Sequence, residues 1–509
     1  MASVTAHRRL PASPLIYEIN TWPWLAELTS RLGTEEAGAA MTLADVDDET
    51  WDGIAAGGFD AVWLMGVWRR SPAGADIARA DRPLMEWFTE SLPDLRDDDV
   101  VGSPYAVREY MVDEHLGGPD GLAQARRALA DRGLALILDF VPNHVATDHA
   151  WARTHPVWFV RGDRADLTEQ AGSFTEIAGH VIAHGRDPYF PAWTDVLQLN
   201  AFHPDLRAAQ IDTLRSIAQQ CDGVRCDMAM LMMSDVFAGT WGERAGPAPD
   251  TDFWPAVIDA VRAEHPGFTF IAEAYWGTEA ALIDQGFDLC YDKSLYDTLR
   301  DDPGSLHRHL GTDELGAAEL ATDDARPPTL RFIENHDEPR APVAFDGRDR
   351  QAAVTFLTLP GARLIHQGQI TGRRTRLPVQ LGRMPAEPVD SERALFYRAL
   401  LDVLRDDAFG SGAFRSCEVA GPDAVICWTR TGDRRWTVVV NMSATSTSAR
   451  VLPAWITGDD VSFLAPGARV VDVFSGQRLQ ADADGGVGLL LSPWGWSVLR
   501  CGTGGLDMW

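Results

Sequence analysis

The sequence feature that most constrains the fold is a repeated alternation of short apolar runs with helical segments. The run 59–65 (Phe-Asp-Ala-Val-Trp-Leu-Met) is an example, because a nearly continuous apolar run suits a parallel strand that is buried on both faces. Eight strand–helix units of this kind predict an α/β fold, a (β/α)8 TIM barrel. The predicted strands are 15–20, 59–65, 134–140, 223–227, 268–272, 289–291, 329–333 and 362–366.

Two segments depart from the alternation. The stretch between the third and fourth strands is too long for a barrel loop, so we predict an inserted subdomain after strand 3. Beyond about residue 408, short strands divided by Gly, Asp and Ser turns predict a C-terminal antiparallel β-sandwich of ordinary domain size. A third stretch, 68–103, is expected to be a long polar loop. The predicted domains are a barrel formed by 1–144 and 205–407, an insert at 145–204 and a β-sandwich at 408–509.

Composition excludes several classes of partner. A formal net charge of −29 argues against binding to nucleic acid or to an anionic membrane surface. No apolar run reaches membrane-spanning length, and residues 1–14 lack the apolar core of a signal peptide. The six cysteines have no CxxC spacing, so we interpret them as reduced thiols of a cytoplasmic protein. A bridge between Cys417 and Cys427, which flank a predicted hairpin, is left open.

The stretch from Gly223 to Met230 carries the first chemical signal. Arg225 and Asp227 are two apart in a predicted strand, so their side chains face the same way. A guanidinium beside a carboxylate lowers the pKa of the carboxyl group, as a nucleophile requires. A structural ion pair at a strand end is the alternative interpretation.

Further ionisable residues follow the other predicted strands. Glu273 has apolar neighbours, which would raise its pKa toward that of a general acid. His144 follows the third strand, and His336 and Asp337 follow the seventh. Because the reacting groups of a parallel barrel lie at the carboxyl ends of its strands, we expect these side chains to meet. Three carboxylates and two histidines at one mouth are typical of a glycosidase.

Four motifs follow one another along the chain: Asp139-x-x-x-Asn143-His144, Gly223-Val224-Arg225-x-Asp227, Ala272-Glu273-Ala274 and Asn335-His336-Asp337. In sequence and in order they resemble the motifs of the α-amylase family of retaining glycoside hydrolases, family 13. The resemblance extends from Leu15 to the C-terminus, because that family also has an inserted subdomain and a C-terminal β-domain.

The resemblance implies a role for each matching residue. Asp227 would be the nucleophile, Glu273 the general acid/base, and Asp337 the carboxylate that grips the sugar hydroxyls in the transition state. Tyr105 would stack on the sugar at the cleaved site, whereas Asp139 and Asn143 would be structural. The residues that the resemblance assigns to substrate binding are Tyr105, His144, Arg225, His336 and Arg340.

Departures from the family pattern bear on metal binding. Met230 and Leu231 stand where classical α-amylases have Lys-His, and Gln198 stands where an aspartate is common. Calcium prefers several hard oxygen ligands, carboxylates above all. We therefore expect no calcium at the family site, and no cofactor. His144 and His149 are alternative metal ligands, but no cysteine or carboxylate spacing supports that interpretation.

Two further features have open interpretations. Aromatic residues of the insert are either the core of a small subdomain or platforms for stacking sugars. Lys293, which is the single lysine in the chain, is either retained on the surface by chance or positioned at the site at the end of the sixth strand. The insert aromatics are Trp151, Trp158, Phe159, Phe174, Tyr189, Phe190 and Trp193.

The resemblance implies an intracellular retaining α-glycosidase that acts on α-glucosidic bonds of short oligosaccharides through a covalent intermediate on Asp227. A transglycosylase, including a glucosyl- or maltosyl-transferring or trehalose-forming enzyme, would use the same intermediate. A non-catalytic carbohydrate-binding member of the family is the alternative from another class. The expected partner is a small α-glucoside or oligosaccharide, with no nucleic acid and no membrane. The oligomeric state is left open.

Overall fold

The computed structural model describes residues 7–31, 40–309, 328–457 and 460–501. Fourteen strands precede the C-terminal region of the described chain. They are β1 (Leu15–Asn20), β2 (Ala61–Met65), β3 (Trp68–Arg70), β4 (Val107–Val112), β5 (Ala135–Phe140), β6 (His144–Ala146), β7 (Phe174–Ile177), β8 (His180–Gly185), β9 (Trp193–Gln198), β10 (Gly223–Cys226), β11 (Thr269–Ala272), β12 (Leu289–Tyr291), β13 (Thr329–Arg331) and β14 (Ala362–His366).

Eight of these strands close into a parallel barrel in the order β1-β14-β13-β12-β11-β10-β5-β2. The closure is made by β1, which pairs with β2 on one side and with β14 on the other. Every residue of β2 and β5 is buried, as expected for strands covered on both faces. The predicted (β/α)8 barrel is therefore confirmed, and each of its strands lies at its predicted position.

Helices cover the outside of the barrel, and several of them begin at a side chain that caps the first turn. Asp47, for example, accepts a hydrogen bond from the Thr50 amide at 2.8 Å, which starts α2 at Asp48. The helices are α1 (Thr21–Arg31), α2 (Asp48–Ala55), α3 (Pro72–Ala80), α4 (Arg82–Ser91), α5 (Gly118–Asp131), α6 (Trp151–Thr154), α7 (Asp166–Glu169), α8 (Pro204–Ala218), α9 (Ser234–Trp241), α10 (Phe253–Glu264), α11 (Glu279–Asp284), α12 (Lys293–Asp301), α13 (Leu306–His309), α14 (Ala341–Ala344), α15 (Asp349–Thr358), α16 (Ser391–Leu404) and α17 (Asp407–Gly410). No helix in the described ranges is both long and apolar enough to cross a membrane.

The segment 68–103 is not the long loop that its polar composition predicts. It contains β3 and the helices α3 and α4. Ser71 and Asp81 cap these helices, and each cap has a proline in the first turn that follows, where the missing amide proton is not needed. Phe88 and Leu92 anchor the segment by packing with Leu381. The prediction was wrong because part of this satellite core, Leu377 and Leu381, comes from a distant part of the chain that no local pattern connects with the segment.

The insert forms a four-stranded sheet in the order β6-β9-β8-β7. Strand β6 directly follows the motif that contains Asn143, and it pairs with β9 antiparallel, with His144 opposite Gln198. Val145, Phe159 and Leu197 are buried in a small core of the insert. The sheet therefore begins at the rim of the barrel and returns to it.

The C-terminal region is antiparallel and consists of a six-stranded sheet, β15-β17-β18-β25-β22-β23, with a three-stranded sheet, β16-β19-β24, and a pair, β20-β21. It is docked on the barrel, because Phe396 of α16 packs against Phe474 and Trp496 with ring centroids 5.6 and 5.5 Å away. Its strands are β15 (Ala413–Ser416), β16 (Glu418–Ala420), β17 (Val425–Thr431), β18 (Arg435–Asn441), β19 (Thr447–Leu452), β20 (Ala454–Thr457), β21 (Asp460–Phe463), β22 (Arg469–Asp472), β23 (Arg478–Gln480), β24 (Val487–Leu491) and β25 (Trp496–Cys501).

Candidate active site

A cavity of about 340 Å³ opens at the end of the barrel where the parallel strands finish. Asp227 directly follows β10, Glu273 directly follows β11, and Asp337 lies in the loop after β13, so carboxylates from three strands line one cavity. This is the end of a parallel barrel at which reacting groups are found. The lining residues are Ser103, Tyr105, His144, Trp193, Asp195, Val196, Asp227, Met228, Glu273, Tyr275, Asp337 and Gln380.

Arg225 is a buried guanidinium that contacts two of these carboxylates. Its Nη1 donates a hydrogen bond to Asp227 Oδ1 at 2.7 Å, and its Nη2 lies at ion-pair distance, 2.7 Å, from Glu273 Oε2. The sequence predicts the contact with Asp227 from the two-residue spacing but not the contact with Glu273. Arg225 itself does not line the cavity, because it lies beneath the carboxylates.

The pKa of Asp227 is raised, which differs from the low value expected from its pairing with Arg225. Burial acts to raise the pKa, and Arg225 acts to lower it; burial prevails. The nearby carboxylate of Asp337 adds to the rise. A single guanidinium shared by two buried carboxyl groups does not compensate fully for the loss of water around either of them.

Glu273 has the pKa expected of a proton donor near neutral pH. Burial raises the pKa of Glu273 to about 7, against the opposing effect of Arg225, and the charge of Asp227 adds to the rise. Its two oxygens are fixed by hydrogen bonds, because Oε2 accepts from the Met228 amide at 2.7 Å and Oε1 accepts from the Tyr275 hydroxyl at 2.8 Å. The carboxyl group is thus both held in place and able to exchange a proton.

His336 connects the cavity wall to the interior of the barrel. Its Nε2 lies 2.9 Å from Asp337 Oδ2 and 2.6 Å from the Tyr105 hydroxyl. Its Nδ1 lies 2.5 Å from Oε1 of Glu18, which is completely buried in β1. Burial acts to lower the pKa of His336, but Asp337 and Glu18 outweigh it and raise the pKa to about 10. The imidazolium in turn lowers the pKa of Asp337, although withdrawal from solvent acts the other way.

His144 and Tyr105 line the cavity, as predicted for groups that contact a sugar. The ring of His144 is tilted against that of Trp193, with centroids 5.3 Å apart, and burial lowers the pKa of His144 to about 4. His144 is therefore neutral at physiological pH. The ring of Tyr105 stacks on that of His336, with centroids 5.3 Å apart.

Arg340 is not brought to this cavity. Its guanidinium is buried, and Nη1 donates hydrogen bonds to Glu334 Oε1 and to the Gln367 carbonyl, both at 2.7 Å. It borders a separate, much smaller space of about 10 Å³ behind the cavity wall. Because Arg340 does not line the cavity, the structure gives no support to its predicted contact with substrate.

Lys293 also lies away from the cavity lining. Its ammonium group contacts Asp297 Oδ1 at 2.6 Å and Glu338 Oε1 at 3.2 Å, and it lies over the ring of Tyr296. Glu338 immediately follows Asp337, but it does not line the cavity. The contacts of Lys293 are those of an ion pair at the start of α12, so its ammonium group neither reaches the cavity nor lies free on the surface.

The residues at the expected calcium position do not fit that ion. Gln198 is completely buried, and its Nε2 donates to Asn143 O at 3.0 Å, to Asn143 Oδ1 at 2.8 Å and to Leu199 O at 3.0 Å. An amide donor thus takes up the oxygens that would otherwise face a cation, and the side chain of Leu231 is apolar and buried. In the described ranges, no cluster of three or more His, Cys, Asp and Glu side chains is suited to metal binding.

The insert aromatics divide between the two interpretations. Phe159 and Phe174 are buried, as core residues should be. Trp193 lines the cavity, whereas Tyr189 and Phe190 are 68% and 66% exposed. Tyr189 packs edge-on against Trp276 from the loop after β11, with centroids 4.8 Å apart, and Trp276 is itself 42% exposed.

Sequence reasoning missed several residues of the site. Tyr275 stands two positions after Glu273, in the loop after β11, where no regular period marks it. Glu18 is a carboxylate within a mostly apolar barrel strand, which is a signal in the sequence. Asp195 and Gln380 reach the cavity through the insert and a late loop, and no local pattern marks them.

The fold and this cavity define a parallel-barrel protein with an inserted sheet and a carboxylate-lined site. The structure is similar to that of AmyB, a noncanonic maltogenic α-amylase from Thermotoga neapolitana, with a TM-score of 0.64, 18% identity, and coverage of 96% of this chain and 98% of that one. An α-amylase of Geobacillus thermoleovorans complexed with acarbose gives a TM-score of 0.64 at 17% identity, with 98% and 100% covered. At these identities the likeness establishes the fold.

In sequence, the chain is 29% identical over 297 residues to the α-amylase MalA of Haloarcula japonica. The match covers 57% of this chain and 39% of the relative, so the chain spans less than half of that relative's length. No protein-family profile matches the chain. The sequence match, the fold and the four ordered motifs together confirm the predicted resemblance to the α-amylase family of glycoside hydrolases.

Proposed function

We propose that this protein is a retaining α-glycosidase that cleaves α-glucosidic bonds of short oligosaccharides. The observation that carries the proposal is the set of three carboxylates, Asp227, Glu273 and Asp337, around one cavity at the carboxyl end of the barrel. The relative from Haloarcula japonica is named an α-amylase, which supports the same class of substrate.

In this mechanism Asp227 attacks the anomeric carbon while Glu273 protonates the departing oxygen. A glycosyl ester on Asp227 forms as the bond to the leaving group breaks, and Glu273 then removes a proton from the incoming water. A pKa of about 7 lets Glu273 both give and take a proton near neutral pH. Arg225 contacts both carboxyl groups, which supports the short carboxyl spacing, about 5–5.5 Å, of retaining enzymes.

The other groups would bind and orient the sugar. Asp337 presents an anion to hydroxyl groups and to the cationic transition state, and its side chain is 42% exposed toward the open site. His144 and the ring of Tyr105 line the same wall. Hydrogen bonds and stacking that strengthen as charge develops would accelerate the reaction rather than only tighten binding.

The two alternatives make different products. A transglycosylase would pass the glucosyl group from Asp227 to a second sugar. The exposed aromatic pair Tyr189 and Trp276 offers a surface on which such an acceptor would stack. A non-catalytic binding protein would have no need of the complete set of carboxylates. We also propose a cytoplasmic location, which is supported by six cysteines, all in the described ranges, that are free thiols.

The test is a product analysis with purified protein. Maltose, isomaltose, trehalose, sucrose and maltooligosaccharides are incubated separately, and products are resolved by chromatography. Release of glucose or maltose without longer products supports hydrolysis, whereas products longer than the substrate, or isomers of it, support transfer. No turnover of any of these sugars by wild-type protein, with binding retained, would favour the non-catalytic alternative.

A further inference from the structure

Glu18 is a buried carboxylate to which the proposed mechanism gives no role. It lies in the first barrel strand, with no exposed surface, among residues that are otherwise mostly apolar. An ionised carboxylate without a partner is strongly destabilising in such a position. An ionised Glu18 must therefore be paired with groups that stabilise its charge.

Both oxygens of Glu18 face imidazole rings. Oε1 lies 2.5 Å from Nδ1 of His336, and Oε2 lies 3.0 Å from Nδ1 of His366. The second contact follows from the barrel register, because Glu18 is paired with His366 across strands β1 and β14. Burial lowers the pKa of His366, with Glu18 opposing, so this second ring is neutral near physiological pH. Glu18 is thus placed opposite one charged and one neutral ring.

His336 faces a carboxylate with each of its nitrogens. Nδ1 faces Glu18, and Nε2 faces Asp337 and the hydroxyl of Tyr105. A neutral imidazole has one donor nitrogen and one acceptor nitrogen, whereas a ring between two carboxylates can donate to both only when it is doubly protonated. The two carboxylate contacts favour a proton on each nitrogen, because a neutral ring that accepted from the Tyr105 hydroxyl at Nε2 would turn a lone pair, and no proton, toward Asp337.

We propose that Glu18 is a positioning residue that keeps His336 as an imidazolium and so holds Asp337 ionised and directed into the cavity. Glu18 does not line the cavity and acts only through His336. This inference rests on the proposed function where it concerns turnover. The protonation state of His336 is independent of that function and can be measured without substrate.

The pH dependence involves every group that faces His336. Glu18 from β1 and Asp337 from its own loop favour the charged ring. Asp139 in β5 and Asp227 after β10 are further carboxyl groups whose pKa the charge of His336 lowers. Tyr105 contacts Nε2, and His366 lies on the far side of Glu18. The raised pKa of His336, about 10, agrees with the geometry.

The experiment replaces the charge of Glu18 while keeping its shape. The titration of His336 is followed by NMR of ¹³C-labelled histidine, and its signal is assigned with the His336→Gln variant. In Glu18→Gln we expect the titration midpoint of His336 to fall by at least one pH unit. In the same variant kcat should fall about tenfold or more with little change in KM, and the acid limb of kcat/KM should move to higher pH as Asp337 loses its cationic neighbour. Asp349→Asn is the matched control, because Asp349 is equally buried but pairs with Arg393 away from the cavity.

The control variant should lower Tm without altering the His336 titration or the pH profile. An unchanged His336 midpoint in Glu18→Gln, or an unchanged acid limb, would overturn the proposal. If Glu18→Gln does not fold, the wild-type titration alone decides: a His336 midpoint at or below about 6.5, the ordinary value for histidine, excludes the imidazolium. If wild-type protein shows the high midpoint but hydrolyses no glucoside, the proposed function fails and the assignment of Glu18 stands.

Discussion

Arg225 and Glu273 form an ion pair of 2.7 Å between neighbouring strands of the barrel, directly beneath the cavity. The same guanidinium donates to Asp227, so the groups proposed as nucleophile and acid share one buried cation. A change in the charge of either carboxyl group is therefore felt by the other. This coupling underlies the first three predictions.

Replacing the proposed nucleophile should abolish turnover. Asp227→Asn keeps the shape of the side chain but cannot attack an anomeric carbon, so we expect kcat/KM to fall by more than about 1,000-fold. Steady-state hydrolysis of the best substrate measures the loss, and circular dichroism checks the fold. Asp235→Asn, at an exposed position nearby, is the matched control and should keep full activity. Residual activity of Asp227→Asn above about one-tenth would contradict the assignment.

Replacing the proposed acid should harm poor leaving groups most. Glu273→Gln cannot protonate a sugar oxygen, so we expect a loss of about 100- to 10,000-fold on maltooligosaccharides. An aryl glucoside with an acidic phenol needs no proton, and its glycosylation step should be much less affected. The measurement is kcat/KM for both substrates with the variant and the wild type. Equal losses on the two substrates would show that Glu273 has another role.

The pH profile should reflect the raised pKa of Glu273. Because the carboxyl group must be protonated to act as an acid, kcat/KM should fall about tenfold per pH unit above an apparent pKa near 7. With a pKa near the ordinary glutamate value, the fall would begin below pH 5. The limb should disappear in Glu273→Gln with the activated aryl substrate. A wild-type limb that persists in that variant would have to come from another group.

Removal of calcium should leave the protein unaffected. Since the Gln198 amide already binds Asn143 and the Leu199 carbonyl, a chelator should change neither Tm nor activity. Gln198→Ala, in contrast, leaves buried oxygens unpaired and should destabilise the fold by about 1–3 kcal/mol. Thermal melts with and without chelator test both statements. A drop in Tm of several degrees on chelation of the wild type would reveal a bound metal.

The exposed pair Tyr189 and Trp276 should contribute to binding of longer substrates. Trp276 has a positive φ of 64°, a strained conformation for a bulky residue, in the same loop as the cavity residue Tyr275. If the pair stacks on a sugar ring, Tyr189→Ala and Trp276→Ala should raise KM several-fold for maltotetraose but hardly for maltose. Leu395→Ala, which removes an exposed apolar side chain from α16, is the control. Equal effects on both substrates would argue against a separate binding surface.

The strands of the barrel could be predicted because each is a compact apolar run, as in β2 and β5. The positions of Asp227 and Glu273 followed, because the end of a parallel strand is also the mouth of the barrel. The helices α3 and α4 were missed because residues of both pack with Leu377 and Leu381, which come much later in the chain.

The raised pKa of Asp227 also could not be predicted from the sequence. Spacing indicated a guanidinium neighbour, but the sign of the shift depends on how deeply both groups are buried and on the charge of Asp337. Arg340 illustrates the converse. The family resemblance assigned it to substrate binding, yet its guanidinium is engaged by Glu334 and the Gln367 carbonyl.

The closure of the barrel by β1 has a consequence for biosynthesis. Arg363 of β14 donates to the Ser13 carbonyl across 350 positions of the chain, and Glu18 reaches His336 and His366 across the same seam. Until the eighth strand has left the ribosome and docked, a nascent chain keeps Glu18 without its partner on that strand, His366. Turnover should therefore appear late and abruptly during synthesis, which would make it a sensitive reporter of complete barrel closure.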